Sequence, residues 1–335
     1  MEYDIYKYPR NFFVNITGCC NLKCIYCSST GFNKNSSMPK EKLVHIIEEL
    51  KELGAFKVII TGGEPLLHPN FEWIIMQFTE FSSVSVNTNG ILLSKYIPFF
   101  REFKFKKRLS FNVSLDSLFQ NHNCKTRGMY EVDSVLSNII SLHEMGYSTN
   151  ILCTVTSFLR EEDILEFKKF SKKFPGIGIA LNDLKLTGRA AASLKSLLPD
   201  LEIIKFINEE LSGFQNFNYN HCADHAYIAP LLSCGAGREC LSINESGDVF
   251  PCTAMYIKVG NIFENTIKEM CNCSDIIKKL NTMRCETIES INECKNCKYL
   301  HRCSGGCRAN AFIATDNLYG VDPYCWHSGK YFKGE

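Results

Sequence analysis

Residues 12–27 read FFVNITGCCNLKCIYC, and this stretch decides the fold. Phe12–Thr17 is rich in aromatic and β-branched side chains and reads as a strand. Cys20, Cys24 and Cys27 follow it as C-x3-C-x2-C. Offsets of four and seven would share one face of a helix. Gly18, Cys19 and Asn21 are poor helix formers, however, and Ser28 to Gly31 continue in the same vein, so the three thiols sit on a loop that leaves the end of a strand.

Outward from that loop the pattern repeats. A helix is predicted from Lys40 to Leu53, with Pro39 at its start and Gly54 at its stop. Five more strands are predicted at Phe56–Thr61, Val84–Thr88, Leu109–Leu115, Asn150–Thr156 and Ile177–Asn182. The helices after them are read near Phe71–Phe81, Ser94–Phe103, Glu131–Glu144, Glu161–Lys173 and Asp200–Leu211. Strands alternating with helices imply a parallel sheet with right-handed crossovers. Six units are too few for a closed eight-fold barrel, so the fold class is α/β, a partial (β/α)6 TIM-like barrel. Chemistry in such sheets collects at the C-terminal strand ends, where the cysteine loop lies. Past residue 220 the texture becomes irregular and Cys-rich, with one helical patch at Ile267–Leu280. The expected division is a barrel over 1–220 and a small iron–sulfur domain over 221–335, the boundary falling between Gln215 and Ala229. A tail so poor in regular structure needs a brace, for which metal is the obvious candidate.

Composition narrows the class. The 335 residues carry 37 Lys+Arg against 36 Asp+Glu, a net charge of +1. That balance argues against nucleic acid or an anionic membrane as partner. No run of 18 apolar residues and no signal-peptide core is present, which points to a cytoplasmic protein. Eighteen cysteines in such a chain read as metal ligands, not disulfides. Three thiolates satisfy three corners of an iron–sulfur cube that normally takes four, leaving one iron open to nitrogen and oxygen ligands.

The C-x3-C-x2-C loop after the first strand of a six-unit partial barrel resembles the signature of the radical S-adenosylmethionine (radical SAM) superfamily. The resemblance implies that the open iron chelates the methionine amino and carboxylate groups of SAM. A reduced cluster would then break a C–S bond of SAM, and the 5′-deoxyadenosyl radical would remove a hydrogen atom from an unactivated carbon. Other strand ends fit: Gly62, Gly63, Glu64 and Pro65 after the second strand, for the methionine ammonium, Asn89 after the third, and Ser114 and Asp116 after the fourth. Arg127, before the fourth helix, resembles the arginine that pairs with the methionine carboxylate, and Tyr26 the aromatic near the adenine. Thr187-Gly188-Arg189-Ala190 also looks family-like.

The tail holds Cys234, Cys240 and Cys252, with Gly247 five positions before Cys252, and then Cys294, Cys297, Cys303, Cys307 and Cys325. Eight cysteines make two sets of four, which physics alone allows to be zinc sites or clusters; only Cys294/Cys297 has the zinc-knuckle spacing. The whole pattern resembles the SPASM domain of enzymes that modify peptides and proteins. By that resemblance Cys234, Cys240, Cys252 and Cys307 hold a first auxiliary 4Fe–4S cluster. Cys294, Cys297, Cys303 and Cys325 hold a second, and full ligation makes both electron relays. Three 4Fe–4S clusters and SAM are the implied cofactors, and oxygen sensitivity follows from the exposed cube corner.

Catalytic residues are not legible. Cys222 or Cys124 could return a hydrogen atom, and His221, Asp224 or His225 could act as base. Sulfatase-maturing relatives place an Asp immediately after the third cysteine of the first auxiliary set; here it is Thr253, which speaks against formylglycine formation. The function so read is oxidative modification of a peptide or protein side chain, by crosslink or dehydrogenation. The first strand begins too early for a leader-recognition domain, so a separate leader-presenting protein or the cleft alone is expected to bind the substrate. A reductase, flavodoxin or ferredoxin is the expected electron donor. The alternatives are the same chemistry on a small molecule such as a tetrapyrrole or sugar, and a non-enzymatic multi-cluster electron carrier.

Overall fold

The computed structural model describes residues 7–28, 36–129, 131–211, 217–220, 234–283, 290–297, 300–303 and 305–325. Six parallel strands form its centre: β1 (Asn11–Thr17), β2 (Lys57–Gly62), β3 (Ser83–Thr88), β4 (Leu109–Ser114), β5 (Ser148–Val155) and β6 (Ile177–Asp183). Helices α1 (Lys40–Leu53), α2 (Phe71–Thr79), α3 (Leu93–Glu102), α4 (Gln120–Arg127), α5 (Val132–Glu144) and α6 (Glu161–Lys173) connect them. The short helices α7 (Arg189–Ala192) and α8 (Leu194–Leu197) and the longer α9 (Leu201–Leu211) come after β6. The six expected strands and their crossover helices are present, with ends shifted by one or two residues. The sequence reading missed α4, whose polar composition leaves no apolar stripe to detect.

The strands sort their side chains by face. Along β4, buried Leu109, Phe111 and Val113 alternate with half-buried Ser110, Asn112 and Ser114. The apolar set packs under the helices in one large core with Phe12, Ile60, Val86, Ile151 and Ile179. The other set makes the inner wall of the half-barrel polar. There Asn112 donates to Asn87 at 2.9 Å, Asn150 donates to Asn112 at 3.0 Å, and Ser85 meets Ser110 at 2.6 Å.

The sheet does not stop at the expected domain boundary. Strand β7 (Phe217–Asn220) extends it beside β6. On the opposite edge β8 (Cys240–Ile243) pairs in parallel with β1, from Asn11↔Cys240 to Val14↔Ile243. Strands β9 (Asp248–Phe250) and β10 (Gly260–Asn261) follow antiparallel, giving ten strands in the order β10-β9-β8-β1-β2-β3-β4-β5-β6-β7. Leu241, Ile243, Val249, Ile262 and Ile267 belong to the barrel's own core. Polar ties reinforce this join: the ring Nε2 of His45 pairs with the Ile262 carbonyl at 2.9 Å, and the Ile267 N–H donates to Glu49 at 2.8 Å. Backbone pairing and shared core therefore brace the first half of the tail, in addition to whatever metal contributes.

The rest of the tail is different. The helical patch is two helices, α10 (Ile267–Cys273) and α11 (Asp275–Thr282), because Ser274 caps the second by accepting from the Ile277 N–H at 3.4 Å. Helices α12 (Leu300–Cys303) and α13 (Arg308–Thr315) complete it. A small second core gathers Ala236, Met255, Leu280, Ile291, Cys294 and Leu318, with Cys234, Cys252 and Cys307 packed against it. No helix among the described residues is long and apolar enough to cross a membrane.

Candidate active site

The loop after β1 and the turn after β2 are built into each other. Gly63 N–H donates to the Thr17 carbonyl at 2.6 Å, and Glu64 N–H donates to the Cys19 carbonyl at 2.7 Å. A Cβ at Gly62 would strike the Thr17 carbonyl and one at Gly63 the Cys19 carbonyl, and Gly62 has φ 145°. Only glycine allows the two backbones this close. The Gly-Gly pair thus first shapes the cysteine loop; Gly62 and Gly63 also face the cavity in front of it.

That cavity, about 270 Å³, lies at the strand ends. Cys20, Cys24 and Cys27 face it together with Tyr26, Glu64, Asn89, Ser114 and Arg127. Further fixings hold the loop in place. Ile25 N–H donates to Thr126 at 2.9 Å, Arg189 Nε donates to the Cys24 carbonyl at 2.7 Å, and the Tyr256 hydroxyl donates to the Ser28 carbonyl at 2.9 Å. The family-like Arg189 thereby has a role, clamping the backbone of the thiol loop. All three thiols are free of disulfides.

The rim polar groups are tied to one another. Glu64 is buried and accepts from the Thr88 hydroxyl at 2.6 Å and the Asn89 and Leu66 N–H groups at 2.7 and 3.1 Å, which joins the ends of β2 and β3. Burial raises its pKa, opposed by those donors. Asp116 accepts from the Tyr26 hydroxyl at 2.5 Å, the Thr126 hydroxyl at 2.8 Å and the Thr154 N–H at 3.2 Å. Arg127 Nη1 donates to the Tyr26 oxygen at 2.6 Å and reaches Asp116 at 3.5 Å. Burial works against the guanidinium charge, but Tyr26, Cys24 and Asp116 outweigh it and raise its pKa. Its Nε is buried with no partner.

This geometry refines several expectations. Arg127 is the last residue of α4, not the lead-in to the next helix. Asp116 does not line the cavity; its carboxylate holds Tyr26 and Arg127 from behind. Pro65 also lies off the wall, at the start of the short 3-10 turn Pro65–Leu67. The Tyr26 ring packs with Leu184, Leu186 and Tyr324 while its hydroxyl serves the network. Cys124 lies off the cavity and donates to the Met129 carbonyl at 3.3 Å. Cys222, Asp224 and His225, with His221, lie outside the described residues. The sequence reading missed Asn87, Thr154, Asn182, Asp183 and Lys185 on the cavity wall. Alternation along β3, β5 and β6 could have found Asn87, Thr154 and Asn182, which follow the half-buried face.

The tail thiols fall into two neighbourhoods. Burial pushes Cys252 up to about 12, and Cys234 and Cys307 add to it; burial likewise raises Cys240, reinforced by Cys252 and Cys234. Burial raises Cys307, which Lys185 opposes and Asp322 and Cys234 reinforce. Burial pushes Cys294 up to about 11, and Cys325, Cys303 and Cys297 add while Arg308 opposes. Among the described residues no three groups close in tightly enough for a single metal ion.

The model of the radical SAM superfamily matches residues 14–171, and that of the SPASM iron-sulfur cluster-binding domain matches residues 234–298. The chain belongs to the radical SAM superfamily. It is an enzyme of that family, with a SPASM domain, and uses SAM and iron–sulfur clusters. This radical SAM enzyme is 26% identical over 325 residues to the mycofactocin maturase MftC of Mycolicibacterium smegmatis, covering 92% of its own length and 81% of that protein. It is 27% identical over 343 residues to the AdoMet-dependent heme synthase of Methanosarcina barkeri, covering 95% and 96%. The structure of Streptococcus suis SuiB bound to precursor peptide SuiA shares its fold, with a TM-score of 0.74 at 18% identity, over 94% of this chain and 75% of SuiB.

Proposed function

We propose that the chain oxidatively modifies a side chain of a peptide or protein, making a crosslink or an unsaturation. The observation that carries this reading is the meeting of three free thiols, the Gly62–Gly63–Glu64 rim and the Arg127 guanidinium on one cavity. Cys20, Cys24 and Cys27 would hold a cluster with one open iron. When bound, that cluster and SAM supply one-electron cleavage of SAM and hydrogen-atom abstraction from an unactivated carbon. The rim beside Gly62, Gly63 and Glu64 would take the methionine ammonium, and the Arg127 guanidinium would pair with its carboxylate. Asn89 and Ser114 would complete the pocket. On the same cavity wall, Asn87, Thr154 and Asn182 would offer hydrogen bonds suited to a peptide backbone or polar side chain. Cys234, Cys240, Cys252 and Cys307 would hold one auxiliary cluster and Cys294, Cys297, Cys303 and Cys325 the other, both fully ligated and acting as relays. The mycofactocin maturase and the SuiB–SuiA complex support a peptide substrate, as does their shared span with this chain. A flavodoxin, ferredoxin or dedicated reductase would supply electrons, and a separate protein would present any leader.

A second reading, a small-molecule substrate, draws on the heme synthase, which this chain matches over 96% of its length. Anaerobic reconstitution with iron, sulfide, SAM and dithionite separates the two. Short Cys- or Gly-rich peptides encoded by neighbouring genes should lose hydrogen by mass spectrometry, with 5′-deoxyadenosine formed in step. Turnover of a tetrapyrrole and none of any such peptide would move the assignment to the second reading.

A further inference from the structure

Arg308 follows Cys307 and is 1% exposed, the largest side chain so deeply buried among the described residues. Arginine keeps its charge at any pH a protein survives. A buried charge is costly unless something of opposite sign answers it. None of the ion pairs among the described residues includes Arg308. Its Nη1 donates to the Leu318 and Gly320 carbonyls at 2.8 and 3.0 Å and its Nε to the Gly306 carbonyl at 3.4 Å, all neutral acceptors. Burial raises the pKa of Asp322, its oxygens accept from the Cys307 and Tyr324 N–H groups at 2.6 and 3.0 Å, and no ion pair among the described residues joins it to Arg308. Nη2 is buried with no partner.

Thiols lie near this guanidinium, whose charge acts on that of Cys294. Leu318, whose carbonyl it holds, packs in the small second core with Cys294, and Cys234, Cys252 and Cys307 press on the same core. We propose that Arg308 is the counter-cation of one auxiliary cluster, its Nη2–H donating to a cluster sulfur and its charge raising that cluster's reduction potential. This rests on the reading of the eight tail cysteines as cluster ligands. A four-thiolate cluster is anionic and gains one further negative charge when it takes one electron, with no proton moved. A fixed cation beside it therefore favours the reduced form, and hydrogen bonds to sulfur act in the same direction.

The test compares two variants of the reconstituted enzyme. Arg308→Gln keeps N–H donors for the backbone carbonyls and loses the charge; Arg308→Lys keeps the charge and loses the planar fork. Iron per chain is counted first, and the clusters are then titrated anaerobically against dithionite with EPR detection. In Arg308→Gln one auxiliary signal should shift so that its reduced-to-oxidised ratio at fixed poise falls about tenfold, roughly 59 mV for one electron. Arg308→Lys should stay near wild type. Loss of iron in Arg308→Gln with retention in Arg308→Lys would also support the charge. Full iron and unchanged potentials in Arg308→Gln would overturn the proposal, as would equal shifts or equal iron loss in both. Wild-type protein holding only one cluster's worth of iron would instead overturn the ligand reading beneath it.

Discussion

The two buried arginines, Arg127 at the rim of the half-barrel and Arg308 in the tail, are stabilised by opposite means. Arg127 has Asp116 and the Tyr26 phenol, and Asp116 is anchored by the Thr126 hydroxyl of α4 and the Thr154 N–H of β5. The barrel answers its own buried charge with protein groups. Arg308 has backbone carbonyls only; each arginine keeps one unpartnered nitrogen. The barrel carries a large apolar core, whereas the tail has a small one in which Cys294 is buried among aliphatic side chains and Cys234, Cys252 and Cys307 pack against it. On the reading proposed above, the tail leans on what its thiols bind more than the barrel does.

The largest effect separates the regions by cysteine. Replacing Cys20, Cys24 and Cys27 by Ala should reduce SAM cleavage to the no-enzyme background. It should remove roughly four iron atoms per chain and leave the remaining iron and the tail's protease resistance intact. Replacing Cys252 and Cys307 should do the reverse, opening the tail to protease while residues 40–183 stay protected. Iron analysis, 5′-deoxyadenosine by chromatography and limited proteolysis read all three quantities. A barrel that unravels with the second pair would erase the contrast, and retained SAM cleavage in the triple variant would mean the cofactor is misplaced.

Next in size is Asp116→Asn. Both carboxylate oxygens accept hydrogen bonds, so an amide must turn an N–H toward another donor while leaving Arg127 without its countercharge. Breaking a buried pair in this way costs about 3 kcal/mol. The measurement is the denaturant midpoint of the loaded enzyme. A loss below the noise would show that Arg127 is not held by Asp116, and the two arginines would then be alike.

How much of this was legible in the sequence follows the same division. The strands were readable because β-branched and aromatic residues recur between helices with apolar stripes, and the thiol loop because spacing alone marks it. Helix α4 was not, having no stripe, and with it went the true place of Arg127 at a helix end. The pairing of β8 with β1 was not legible either, since a strand of four residues beside a partner over two hundred residues away leaves no local signal. Asp116 was picked out by its position after a strand, yet position does not tell whether a carboxylate faces the cavity or stands behind it. Lys185 escaped because it lies past the end of β6, where alternation no longer reports direction. Among the tail cysteines the pattern was legible while the folded form was not, because the small second core has no periodicity.

Gly247 gives a smaller, purely structural test of the tail's first half. It has φ 86° in the turn between β8 and β9, and a Cβ there would meet the Phe263 ring. Gly247→Ala should cost about 2 kcal/mol through backbone strain and overpacking, read as a lowered denaturant midpoint. Because this hairpin shares the barrel core, the loss should appear in the barrel's transition as well. Tail-only melting would put the hairpin on the other side of the comparison.

The smallest effect concerns Tyr26→Phe. The phenol oxygen stands between Arg127 at 2.6 Å and Asp116 at 2.5 Å, while the arginine reaches the carboxylate only at 3.5 Å. Removing the hydroxyl leaves the ring in its apolar nest, so contact of the aromatic face with an adenine would survive the change. Arg127 would lose its better acceptor and swing toward Asp116 to shorten the remaining bond, at a net cost of about 1 kcal/mol in stability. The same swing moves its guanidinium relative to the cavity, and SAM binding should weaken roughly fivefold, the equivalent of about 1 kcal/mol. Anaerobic calorimetry on the cluster-loaded variant measures both binding and unfolding. Stability lost with affinity unchanged would assign Tyr26 to the fold of the barrel alone; affinity lost with stability unchanged would make its hydroxyl a direct contact. Only the two together show that the barrel positions its cofactor-facing charge through its own hydrogen bonds, in contrast to the role proposed for a cluster beside Arg308.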